Sequence, residues 1–157
     1  MSELAQTLAV VAALGSGLVA GFFFSFSFVI MGSLERTPAA QAMATMQAIN
    51  VVVLNAWFFA AFFGTALVCL VLAALALLPW SAATMWLLLG SALYLIGAVF
   101  VTMRFNVPLN NALAKADPAH DDGLVLWAHY LKAWTAWNHV RTAAPLAASA
   151  CFILALL

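Results

Sequence analysis

Residues 4–31 read LAQTLAVVAALGSGLVAGFFFSFSFVIM, a run without one charged side chain. About 20 predominantly apolar residues suffice for a helix to cross the hydrocarbon core of a bilayer. This run is longer than that, so it reads as a membrane span and sets the frame for the rest of the chain. Working outward, three more apolar segments follow. The spans fall at 4–31, 48–78, 82–107 and 137–157, with a polar loop at 110–122. A short link carrying Glu35, Arg36 and Pro38 leads into the second helix, with Thr37 as its expected cap. That helix is expected to continue through Gln47, Asn50 and Asn55 to Leu78. Pro79-Trp80-Ser81 reads as a tight turn, and Pro108 is expected to weaken the third helix just past Asn106. Asp117-Pro118 and Asp121-Asp122-Gly123 mark the loop, and a fourth helix starts near Asp122.

The 157 residues are enough for one domain; 68% are apolar and 6% charged, against about 25% charged in a soluble domain. Such a chain cannot cover a water-facing surface. The expected fold is all-α: a membrane-embedded four-helix bundle whose fourth helix is extended by an amphipathic, aromatic-rich N-terminal half. Five basic and five acidic residues cancel, and no basic tract points to nucleic acid. Met1-Ser2-Glu3 lacks the positive charge of a secretory leader, so the first span is expected to be retained. Cys69 and Cys151 lie in separate apolar runs and are expected to be free and buried. Ala13, Gly17 and Gly21, and Gly90 and Gly97, are small residues at helical spacing that permit close helix approach in lipid. Arg36, Arg104, Lys115, Lys132 and Arg141 all lie in or beside the first and third links. The positive-inside rule therefore places loops 32–46 and 108–136 in the cytoplasm and both termini outside.

The polar side chains able to do chemistry gather at one end of these spans. Trp127, Tyr130, Trp134, Trp137 or Asn138, and Arg141 recur at three- and four-residue intervals, so they share a helix face. They form either an interfacial aromatic belt or a flat wall for a planar ligand with Arg141 at its deep end. Asn106 and Asn110 flank Pro108. They either cap a helix end or, if the helix persists, share a face and bind a ligand oxygen or Arg141. Gln47, Asn50 and Asn55 serve either interhelical hydrogen bonding or a site, since polar groups at membrane depth are costly. The last apolar stretch, Thr142–Leu157, is short for a span and must hold Asn138, His139 and Arg141 at its boundary. Pro145 removes the helical donor to the Arg141 carbonyl, so a kink is expected there. His139 is the candidate proton carrier near neutral pH. No His pair has metal-ligand spacing and no carboxylate lies at depth, so no metal is expected.

Met46-Gln-Ala-Ile-Asn50, Asn106-Val-Pro-Leu-Asn110 and Trp137-Asn-His-Val-Arg141-Thr142 resemble the anthrone oxygenase-like family of small membrane proteins. The resemblance covers nearly the whole chain. It implies oxidation of a flat, lipophilic anthrone- or phenol-type substrate by molecular oxygen, with no bound cofactor. With these residues, His139 would be the base. Arg141 and Asn138 would stabilise the oxyanion, and Gln47, Asn50, Asn106, Asn110, Trp127, Tyr130, Trp134 and Trp137 would hold the substrate. The expected partners are membrane lipid, the aromatic substrate and oxygen, and the chain is a candidate homo-oligomer. A non-enzymatic carrier of quinone-like or lipid ligands, or an accessory membrane subunit, would use the same residues without a base.

Overall fold

A computed structural model describes residues 1–77 and 80–157. Its described residues form five helices and no strands: α1 (Glu3–Glu35), α2 (Ala39–Val52), α3 (Ala56–Ala76), α4 (Ala82–Ala114) and α5 (Asp121–Leu154). Helices α1, α3 and α4 are each long and apolar enough to cross a membrane. The four long helices run up and down in a ring, with α1 against α5 and α3, and α4 against α3 and α5. The short α2 covers one end, against the last turns of α1, α4 and the first half of α5. Leu14, Leu18, Phe28, Leu67, Ile96 and Leu146 project outward and are exposed. An apolar outer surface around a packed interior is what lipid as solvent requires, and the chain is an integral membrane helical bundle.

Small residues set the spacing of the ring. A Cβ on Gly97 would collide with the Ala144 methyl, and one on Gly90 with the Phe152 ring. These two expected close approaches hold. Gly21 faces open space and a Cβ on Gly17 would lie 3.6 Å from Ser149 Oγ, an ordinary contact, whereas one on Gly15 would collide with the Thr65 side chain. Cross-helix hydrogen bonds add to the packing: the Tyr94 hydroxyl donates to the Phe62 carbonyl at 2.9 Å and Ser149 Oγ to the Ala13 carbonyl at 2.8 Å. Cys69 and Cys151 are free and buried.

Several sequence expectations need correction. The second helix is not continuous: it breaks at residues 53–55. Asn55 is extended and caps α3, accepting the Phe58 N–H at 3.0 Å while its amide donates back to the Val52 carbonyl at 2.9 Å. A short polar side chain that satisfies both flanking helix ends makes the break favourable. Thr37 does not cap α2. Its hydroxyl donates to Ser33 O at 3.0 Å in the preceding helix, and Pro38 occupies the cap position. The polar loop is shorter than 110–122, because α4 runs on to Ala114 and only residues 115–120 are non-helical. Pro108 does not end α4. A π-helical turn, Thr102–Asn106, precedes it, closing with Val107 N–H on Thr102 O, and Pro108 enters the first turn of the resumed α-helix. There its missing donor costs little.

In the link, Asp117 accepts the Ala119 N–H at 2.8 Å and faces the His120 ring at 2.9 Å. The backbone N–H first, and His120 second, hold its carboxyl below the ordinary carboxylate range. Pro145 is buried inside α5, which stays helical through it. Of the turn expected at Pro79-Trp80-Ser81, Pro79 lies outside the described residues, as does Leu78 at the expected end of the second span. Ser81 caps α4, its N–H bonded to Thr84 Oγ1 at 2.9 Å, and Thr84 donates to Ala76 O at 3.1 Å.

Candidate functional site

A cavity of about 330 Å³ lies between α1, the α2–α3 break, α4 and α5. Its wall is aromatic: Phe22, Phe23 and Phe26 from α1, Phe58 and Phe62 from α3, and Trp134 from α5. Leu54, Phe59, Phe63 and Met103 lie on its rim and are exposed, so it opens on the outer surface between α3 and α4. The polar lining comes from Asn50, Thr102, Asn110 and Arg141.

Arg141 is the centre of this polar pole. It is 4% exposed, and its guanidinium is held between the Phe23 ring at 4.3 Å and the Trp134 ring at 4.8 Å. NH2 donates to Asn138 Oδ1 at 2.8 Å and NH1 to Thr102 Oγ1 at 3.3 Å, while Nε has no partner. A guanidinium carries five N–H donors, so these bonds leave most of its capacity unused. Among the described residues, the one ion pair is Asp117–His120 in the exposed link. Arg141 therefore has no carboxylate.

Asn138 holds Arg141 in place. It is fully buried, and its amide donates to Phe23 O at 2.7 Å and Ser27 Oγ at 2.8 Å. Thr142 Oγ1 donates to Asn138 O at 2.9 Å, which leaves Ser27 as donor in the 3.0 Å Ser27–Thr142 contact. Both Ser27 and Thr102 sit in π-helical turns, Phe26–Ile30 of α1 and Thr102–Asn106 of α4. A π turn widens the helix and shifts the register of the residues beyond it, and such turns are frequent at functional sites. Here they bring two hydroxyls to the Arg141 cluster from opposite sides.

A second network closes the upper end. Asn110 Oδ1 accepts from both the Tyr130 hydroxyl and Trp134 Nε1, each at 2.8 Å. The Asn50 amide approaches the Tyr130 hydroxyl at 3.4 Å. Asn106, one turn below Asn110 and fully buried, donates to Trp134 O at 3.1 Å and leaves its own Oδ1 unpartnered.

The structure thus brings Asn50, Asn106, Asn110, Tyr130, Trp134, Asn138 and Arg141 together. It does not bring Gln47, whose amide donates to Leu113 O at 2.8 Å and Ala116 O at 3.0 Å, tying off the end of α4. His139 is exposed and lies against Phe28, outside the cavity. Trp137 turns toward α4 and stacks on Phe105 at 3.6 Å, so the inward stripe continues through Asn138. Trp127 and Tyr130 are buried and stack in series with Trp134, at 5.6 and 5.9 Å between neighbouring rings. They fill their own slot, and of the four aromatic residues only Trp134 lines the cavity. Ser27, Thr102 and the Phe22–Phe26 wall were not singled out in the sequence. Serine and threonine bond so readily to their own helix that nothing in sequence marks those that do otherwise. Among the described residues, no three His, Cys, Asp or Glu side chains gather as a metal-ligand set.

Fold and site together define a helical membrane protein with an aromatic cavity and a buried cation at its inner end. The profile of the anthrone oxygenase family matches residues 54–151, more than half of the chain, from the α2–α3 break to the last turn of α5. The chain belongs to the anthrone oxygenase family. The match contains the segments Asn106–Asn110 and Trp137–Thr142, and Met46–Asn50 precedes it. No curated protein and no solved structure gives a significant match.

Proposed function

We propose that the cavity binds a flat, lipophilic aromatic bearing a ketone or phenol oxygen, that Arg141 receives this oxygen, and that the bound molecule then reacts with dioxygen. The observation that carries the reading is Arg141 itself, a buried cation with unused N–H donors lining an otherwise aromatic cavity. The volume of about 330 Å³ falls within the usual range of small-molecule sites, about 300–1,000 Å³. The exposed rim between α3 and α4 suits a ligand arriving from lipid.

For an anthrone the chemistry balances simply. The central CH2 loses a proton to give an enolate, whose oxygen sits at Arg141 and Thr102. The enolate carbon donates electrons to dioxygen and forms a C–O bond. The resulting peroxide anion takes back one proton from water, and the hydroperoxide then loses water, leaving a quinone carbonyl and one molecule of water per dioxygen consumed. Donors fixed at the developing oxyanion supply the catalytic effect. Asn138 acts by positioning Arg141, and His139, outside the cavity, takes no part. The α5 segment from Asn138 onward forms the fourth span in this reading, with the α1–α2 and α4–α5 links cytoplasmic.

The absence of any His or carboxylate among the cavity-lining residues favours one second reading: a binder or carrier of quinone-like ligands that performs no oxidation. Oxygen uptake by the detergent-purified protein with anthrone separates the two. The enzyme predicts uptake well above the spontaneous rate and a fall of about 100-fold or more in Arg141→Met, as for loss of an oxyanion donor. Uptake equal to spontaneous oxidation, with the ligand bound, establishes the carrier.

A further inference from the structure

Resting on that reading of the cavity, we propose that the site takes its ligand as an anion: the conjugate base of a phenol or enolisable aromatic ketone, its charge matched to Arg141. A buried ion without a counter-charge is strongly disfavoured, and a guanidinium does not relieve this by losing its proton. Arg141 is 4% exposed, and both of its hydrogen-bond acceptors, Thr102 and Asn138, are neutral. The unfilled space it borders is the cavity.

The proton inventory around it has the same polarity. Asn110 Oδ1 is filled by two donors, Tyr130 and Trp134, so the group Asn110 has left for a ligand is its N–H2. Thr102 Oγ1 accepts from Arg141, which leaves its own hydrogen to give. Arg141, Thr102 and Asn110 therefore all present donors to the cavity, the arrangement that stabilises an oxyanion. Of the two side-chain carbonyls in the polar lining, Asn110 Oδ1 is filled and only that of Asn50 is left.

No other charge competes. On α1, Glu3 and Glu35 lie at the two helix ends. On α4, Arg104 is exposed over Phe105 at 5.4 Å, and on α5, Asp121, Asp122, His129, Lys132 and His139 are exposed. Helices α2 and α3 carry no Asp, Glu, Lys, Arg or His. Tyr130 is the one titratable neighbour in the cluster, and its hydroxyl hydrogen is committed to Asn110. Among the lining residues none accepts the ligand's proton, which therefore goes to bulk water at the membrane surface, and its loss is driven by the cation.

Alizarin tests this, because its absorbance moves to long wavelength when its free hydroxyl ionises. Full-length protein in nanodiscs is titrated with alizarin and with the monomethyl ether of that hydroxyl, which cannot ionise there. The expected result is bound alizarin in its red, anionic form, with acidity raised about ten- to a thousandfold over the free dye. The ether is expected to bind at least about tenfold more weakly at pH 8, and Arg141→Lys to keep the shift while Arg141→Met loses it. The wild-type comparison stands whether or not Arg141→Met folds. Alizarin bound in its neutral yellow form, or an ether of equal affinity, overturns the inference and leaves the cavity reading intact. Absence of binding by both dyes overturns the cavity reading as well.

Discussion

Asn138 and His139 are adjacent in sequence and lie in opposite environments. Successive residues on a helix point about 100° apart, so one side chain enters the bundle and the other leaves it. Asn138 bonds to Phe23, Ser27 and Arg141, and His139 is exposed beside Phe28. Asn138→Ala strands three buried partners and is expected to destabilise the fold by about 1–3 kcal/mol; thermal unfolding in detergent measures it. His139→Ala is expected to change stability by no more than about 0.5 kcal/mol, the range of a surface change, and to leave oxygen uptake within about twofold of wild type. A steep loss of turnover in that variant would contradict its placement. Chemical type made His139 the candidate base in sequence, whereas its direction on α5 places it outside the cavity. Arg141 was legible for a converse reason: a cation at the edge of an apolar segment must find a polar setting.

At the scale of elements, two devices shape the cavity. The first is the α2–α3 break, which places Val53 and Leu54 in the lining. Asn55→Ala removes the cap and is expected to cost about 0.5–2 kcal/mol, read by thermal unfolding, with ligand affinity falling in parallel because the break frames the cavity. The second is the set of π turns in α1 and α4. They were not legible, because a single inserted residue leaves no mark on an apolar pattern. Gly97 lies in another π turn, Leu95–Phe100, and meets Ala144 too closely for a side chain. Gly97→Val is expected to push α4 from α5 and cost about 1–3 kcal/mol, as overpacking does. The same substitution at Gly21, which faces open space, is the control.

At the scale of the whole molecule, antiparallel threading brings the links after α1 and after α4 to one end. Sidedness is tested by single cysteines at Ser2 and Lys115 in a background lacking Cys69 and Cys151, both of which are buried. A membrane-impermeant maleimide on intact cells is expected to label the first and spare the second, and the reverse pattern would invert the proposed orientation. The sequence by itself determined the solvent, the long apolar helices and their alternation with polar links, but not the α2–α3 break. Those follow from the transfer of apolar residues into lipid and from helix length, which are properties of single segments. It also determined that polar groups collect at one end, because that follows from threading alone. Tertiary structure decided which of them share a cavity. It stacked Trp127 and Tyr130 into the packing, turned Trp137 and His139 away, tied Gln47 to the end of α4, and left Arg141 without a counter-ion. Those outcomes depend on the rotation of each helix against its neighbours, which is set jointly by close glycine contacts, π turns and cross-helix hydrogen bonds and is encoded in no one segment.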